Sequence, residues 1–121
     1  GNVESTFQAS GKGTATNVDS TVDHFRSASG ARWDLNRGLK QLRSQTPGAK
    51  TFGVSGIGQQ AIGFKFSGKT GNVPFSLVYI VVLRGSYLAA TGISVAGVVP
   101  APPVSAVERY ARVVDGRVKN A

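Results

Sequence analysis

The sequence predicts an α+β domain, an antiparallel sheet of about four to five strands with two amphipathic helices packed on it. Three observations carry this expectation. The most apolar stretch, "NVPFSLVYIVVLRGSYLAATGISVAG" (72–97), is rich in β-branched and aromatic residues and is broken by a glycine-containing turn. An apolar series at helical spacing follows Ser27 and Ser29, and a second such series closes the chain. Short alternating runs occupy much of the rest.

Taken in order, "VESTFQAS" (3–10) alternates Val3, Ser5, Phe7 and Ala9 and reads as a half-buried strand, turned by "GKG" (11–13). The stretch 14–26 fits two patterns; the extended one is preferred over 21–26. A helix follows, capped by Ser27 or Ser29. Ala28, Ala31, Leu35, Gly38, Leu39 and Leu42 share one face of it, and Pro47 and Gly48 stop it. "TFGVSGIGQQ" (51–60) reads as a glycine-rich loop or weak strand, "AIGFKFSG" (61–68) as an alternating strand, and "KTGN" (69–72) as a turn.

The apolar stretch then raises the question of a membrane span. Such a helix needs about 20 consecutive apolar residues. The run 73–83 has eleven residues, includes Pro74 and Ser76, and stops at Arg84. Phe75, Val78, Tyr79, Ile80, Val81 and Val82 suit a pleated surface instead. With "RGS" (84–86) as turn and "YLAATGISV" (87–95) as return strand, the stretch is a hairpin. The near-continuous apolarity of 77–83 predicts a central strand covered on both faces. "VVPAPPV" (98–104) is a stiff connection. Ser105 and Glu108 then suggest a capping box for a last helix, whose stripe is Val104, Val107, Ala111, Val114 and Val118, with Arg109, Arg112, Arg117 and Lys119 off it.

The chain of 121 residues is the size of one domain, 1–121, and can bury a core without staples. It contains no cysteine, which excludes disulfides, thiolate-held zinc and thiol catalysis. No segment has a signal-peptide pattern, and Gly1-Asn2 reads as a trimmed start. Fourteen Lys and Arg against six acids give a formal charge of +8, which favours contact with anions.

Few residues point to chemistry. "GVSGIGQQAIGF" (53–64) has the glycine rhythm of a phosphate loop, but a strand follows where a helix N-terminus is required, so a turn of unusual backbone angles is the better reading. His24 is the single histidine. Asp23 beside it points the other way on a strand, so no catalytic triad or metal set assembles, and no cofactor is expected. Trp33 is the exception. It lies opposite the Ala31/Leu35/Leu42 stripe with Arg37, Lys40 and Asn36 as its neighbours on the helix surface. Trp33, Arg37 and Lys40 are therefore the candidate binding residues, an aromatic among cations facing an anionic ligand, a lipid headgroup or an acidic partner; the alternative is an indole simply packed under a loop or against the other helix.

"HFRSASGARWDLNRGLKQLR", "GVSGIGQQAIGF", "PFSLVYIVVLRGSYLAATGIS" and "AVERYARVVDGRV" together resemble, in order and pattern, actinobacterial extracytoplasmic sensor-type domains of the PknH-type kinase ectodomain and LpqN-type lipoprotein families. The resemblance spans about three quarters of the chain. It implies a PsbP-like sandwich outside the cytoplasm, tethered by an anchor that is not in this sequence, with a binding or sensing role. It supplies no catalytic residue. The expectation is thus a non-enzymatic cell-envelope domain that binds a small molecule, lipid or acidic protein partner, with the membrane surface as a further contact. Two alternatives stand beside it: a basic domain binding nucleic acid or another polyanion, and a small enzyme with an unrecognised site. Nucleic acid is disfavoured because the aromatics are core-type and no basic, aromatic strand face is visible.

Overall fold

The computed structural model describes residues 2–11, 14–46, 48–97 and 100–120, with side chains from Thr16 onward. The elements run β1 (Asn2–Gly11), β2 (Thr14–His24), α1 (Ala28–Gln45), β3 (Lys50–Val54), β4 (Gln60–Thr70), β5 (Val73–Arg84), β6 (Tyr87–Ala96) and α2 (Val104–Lys119). The strands form one antiparallel sheet in the order β1-β2-β6-β5-β4-β3. The α+β architecture expected from sequence is therefore present, with six strands rather than four to five. The additional strand is β3, which pairs through all of 50–54 with β4 despite its glycine. All of 14–24 is extended, since β2 is held on both sides, by β1 and by β6. The alternation of Val3, Ser5, Phe7 and Ala9, the turn residues Lys12 and Gly13, and Pro47, Val98 and Val99 lie outside what is described.

β5 has the two-sided burial that its sequence predicts. Successive side chains on a strand point to opposite faces. Val78, Ile80 and Val82 pack with Val107 and Ala111 of α2, while Val81 and Leu83 pack with Ala31 and Leu35 of α1. The helices therefore cover opposite faces of the sheet. Ile80 and Val107 are fully buried, and each side chain of this kind stabilises the fold by roughly 1.5–3 kcal/mol.

Both helix starts depend on local chemistry. At α1, Ser27 Oγ accepts from the Gly30 N–H at 3.0 Å, an N-cap of the kind the sequence suggests. At α2 the expected capping box is not formed. Pro103 is the N-cap, Ser105 lies inside the helix, and no side chain caps the first turn. The stripe also differs by one position. Val107, Ala111, Asp115 and Val118 are buried and Val114 is only half-buried, because a carboxylate held by Arg84 on the facing side of the sheet and by the Gly58 N–H occupies the inner position.

Candidate functional site

Sheet order obliges α1 to travel from β2, second in the sheet, to β3 at the far edge. It does so across one face of the intervening strands, and it is seated only at its start, where Phe25 N–H bonds to Ser86 O at 2.8 Å and Ala31 and Leu35 are buried. Beyond Leu35 the helix, with Leu39 and Leu42 half-buried, buries no residue fully against the sheet. Between them lies a groove of about 270 Å³ walled mainly by Leu39, Leu42, Phe64, Val81, Leu88 and Ala90, with Asp23 and Asp34 as its acidic residues. Leu39, Leu42, Phe64, Val81, Leu88 and Ala90 are all half-buried, so apolar surface on both walls still meets water.

Next to the groove, one rung links three strands. Asp19, Gly92 and Tyr79 are cross-strand partners on β2, β6 and β5. The Tyr79 hydroxyl donates to Asp19 Oδ2 at 2.8 Å. A Cβ on Gly92 would fall 2.3 Å from the Tyr79 ring, so the ring lies across the bare glycine backbone to reach the acid. Phe64 stacks on the same tyrosine, with centroids 5.6 Å apart.

The outer face of α1 carries the three residues singled out from sequence. Trp33 is 64% exposed, and Arg37 and Lys40 are exposed. With Asn36 they line one shallow depression. Arg37 sits 5.1 Å from the Trp33 ring centroid and also donates to Asp34 Oδ1 at 2.8 Å, so its charge is shared between an aromatic face and a carboxylate. Lys40 has no ion-pair partner among the described residues.

His24 and the glycine-rich turn both have structural occupations. His24 stacks on Tyr87, its cross-strand partner, at 4.2 Å, and its Nε2 lies 3.0 Å from Ser86 Oγ. Ser86 was not visible as a partner in the sequence because the contact spans 62 positions. In the glycine-rich turn, Gly56 and Gly58 have φ of 77° and 60°, the unusual backbone angles expected there. The anion held by this turn is the protein's own Asp115. Gly58 N–H donates to Asp115 Oδ2 at 3.1 Å, and Arg84 holds the same carboxylate through Nε at 2.6 Å and Nη2 at 3.0 Å. The hydrogen bond from Arg84 holds the Asp115 carboxyl below the usual carboxylate range. Burial opposes this, and the Gly58 N–H and the charge of Arg84 assist it.

No group of three or more potential metal ligands occurs among the described residues, and no helix of the described chain is long and apolar enough to cross a membrane. No protein-family model, curated protein or solved structure matches the chain.

Proposed function

We propose that the chain is a non-enzymatic binding domain of the cell envelope, whose ligand is a small, mostly apolar molecule seated between α1 and the sheet. The carrying observation is the apolar groove itself. Its walls leave Leu39, Leu42, Phe64, Val81 and Leu88 half-exposed around about 270 Å³, space that an occupant would dehydrate with a gain of about 25 cal/mol per Å² of apolar surface. The volume lies just below the usual range of small-molecule sites, about 300–1,000 Å³, and so fits a small occupant. The carboxylates of Asp23 and Asp34 in the lining, the latter already accepting from Arg37, make the groove unfavourable for an anionic occupant compared with a neutral or cationic one.

The non-enzymatic part of the reading is supported by the engagement of the chemistry-bearing groups. Asp19 accepts from Tyr79, Asp34 from Arg37 and Asp115 from Arg84, and His24 is stacked against Tyr87. The envelope location rests on the resemblance to extracytoplasmic sensor-type domains. Trp33, Arg37 and Lys40, facing away from the groove, form a second contact, for an acidic partner or the anionic headgroups of the membrane surface.

Ligand-observed NMR with a mixture of small apolar amines, alcohols and carboxylic acids tests the groove. Amines and alcohols are expected to bind, with amide shifts concentrated on Leu39, Leu42, Val81 and Leu88. Ala90→Leu fills the groove from the sheet side and should abolish binding while the far-UV spectrum and melting temperature are retained. Binding that survives Ala90→Leu, or that prefers the acids, rejects the proposed site.

A further inference from the structure

On the opposite face of the sheet, away from the groove, the sequence places two like charges where a sheet tolerates them poorly. Lys50 on β3 and Lys65 on β4 are direct cross-strand partners. Their Cβ atoms are therefore about 5 Å apart on one face, a placement that destabilises an antiparallel pair when the charges match. Neither lysine is ion-paired among the described residues. One step along β4 on the same face is Ser67, directly opposite Ser76 on β5, with their hydroxyl oxygens 3.2 Å apart. Lys65 in turn pairs with Val78, whose side chain faces α2, so all four polar groups lie on the α2 side.

These groups line one concavity of about 360 Å³, with Ala101 of the connection into α2 contributing to the wall. Two ammonium groups and the one serine hydroxyl of the pair that is not donating to the other can together donate hydrogen bonds to several oxygens of one anion. The ammonium groups supply charge-assisted bonds, and the paired serines fix a direction. Lysines on an edge strand also serve to block pairing with other sheets, and β3 is such an edge. That role explains Lys50. It does not require a second lysine opposite, or a hydroxyl pair in the same hollow.

We infer that Lys50, Lys65, Ser67 and Ser76 form a binding site for a tetrahedral oxyanion, the phosphoryl group of a small phosphate ester. The site is separate from the apolar groove and does not depend on it. An anion bound there cancels the repulsion between the two lysines, so ligand and fold stabilise each other.

The test is a titration with inorganic phosphate at constant ionic strength, with chloride as the replaced ion, followed by amide shifts. Saturable shifts confined to the neighbourhood of residues 50, 65, 67 and 76 are expected. Lys50→Gln and Lys65→Gln should each weaken phosphate binding by about tenfold, the scale of one charged hydrogen bond. Each should also leave the fold at least as stable in chloride, because the repulsion is gone. Phosphate strengthens apolar burial in any protein, so the thermal readout is the difference between wild type and variant, which should favour wild type only in phosphate. Glycerol phosphate and phosphatidylglycerol vesicles, against phosphatidylcholine vesicles, separate the sources. Binding of the soluble ester without vesicle binding assigns a free phosphate ester, and vesicle binding lost in Lys65→Gln assigns a lipid headgroup. Shifts scattered over all the basic residues, or identical titrations of wild type and both lysine variants, overturn the site.

Discussion

Trp33 and Gly92 show how much a single residue's surroundings decide. The indole of Trp33 is left in water because its helix turns Ala31 and Leu35 inward, and the Arg37 guanidinium lies 5.1 Å from its ring centroid. Its fluorescence in the free protein should be that of a solvated indole, red-shifted and readily quenched by acrylamide. A blue-shifted, protected emission would place the ring in the core and remove the proposed contact face. Gly92 is the converse case, a residue required for what it lacks. Tyr79 crosses its backbone to reach Asp19, and an added Cβ would lie 2.3–2.4 Å from three ring atoms. Gly92→Ala therefore has to displace the ring, strain the strand or break the hydrogen bond. Overpacking of this kind costs about 1–3 kcal/mol. The expected result is a lower urea midpoint with an unchanged slope; an unshifted midpoint would mean that the ring does not lie over Gly92.

Among the elements, those with a strong period were legible and those defined by partners were not. The hairpin of β5 and β6, the double-sided burial of β5 and the cap of α1 at Ser27 all follow from residue type and spacing. β3 was obscured because 50–54 carries too few apolar residues to signal a strand, and its extended state comes from pairing with β4. The inner face of α2 was misread at one position for a related reason. Asp115 looks like a solvent residue until Arg84, 31 positions earlier, and the Gly58 N–H are brought to it. The lining of the groove is not legible in the sequence, because it depends on how α1 is seated on the sheet. The Asp115 cluster gives this scale its prediction. Because the folded-state pKa of Asp115 lies below the ordinary value of 3.8, the stabilisation is complete above that value and is lost as pH falls through the lower folded-state one. Asp115→Asn should melt below wild type at pH 7. The gap should narrow as pH drops below about 4, the ordinary carboxylate range, when followed by thermal unfolding from pH 7 to pH 3. A gap that stays constant with pH would assign the role of Asp115 to packing and not to charge.

For the whole molecule, the excess of positive charge is spread rather than gathered. α1 exposes Arg32, Arg37, Lys40 and Arg43, α2 exposes Arg109, Arg112, Arg117 and Lys119, and the sheet exposes Lys50, Lys65 and Lys69, so cations face outward on both sides of the sheet. A duplex can touch only one of these faces at a time, and the affinity it gains is that of a few screened phosphate contacts. Mixed-sequence DNA is accordingly expected to bind no more tightly than about micromolar at roughly 150 mM salt, with affinity falling steeply as salt rises. Sub-micromolar binding at that salt would displace the small-ligand reading in favour of a polyanion-binding domain. The same measurement separates diffuse from local electrostatics. Lys50→Gln and Lys65→Gln each remove one of fourteen cationic side chains, so each should change DNA binding only slightly while weakening phosphate binding about tenfold. If instead DNA and phosphate affinities fall in parallel across the two variants, net charge alone governs both, and the paired lysines are a solvated surface with no built site.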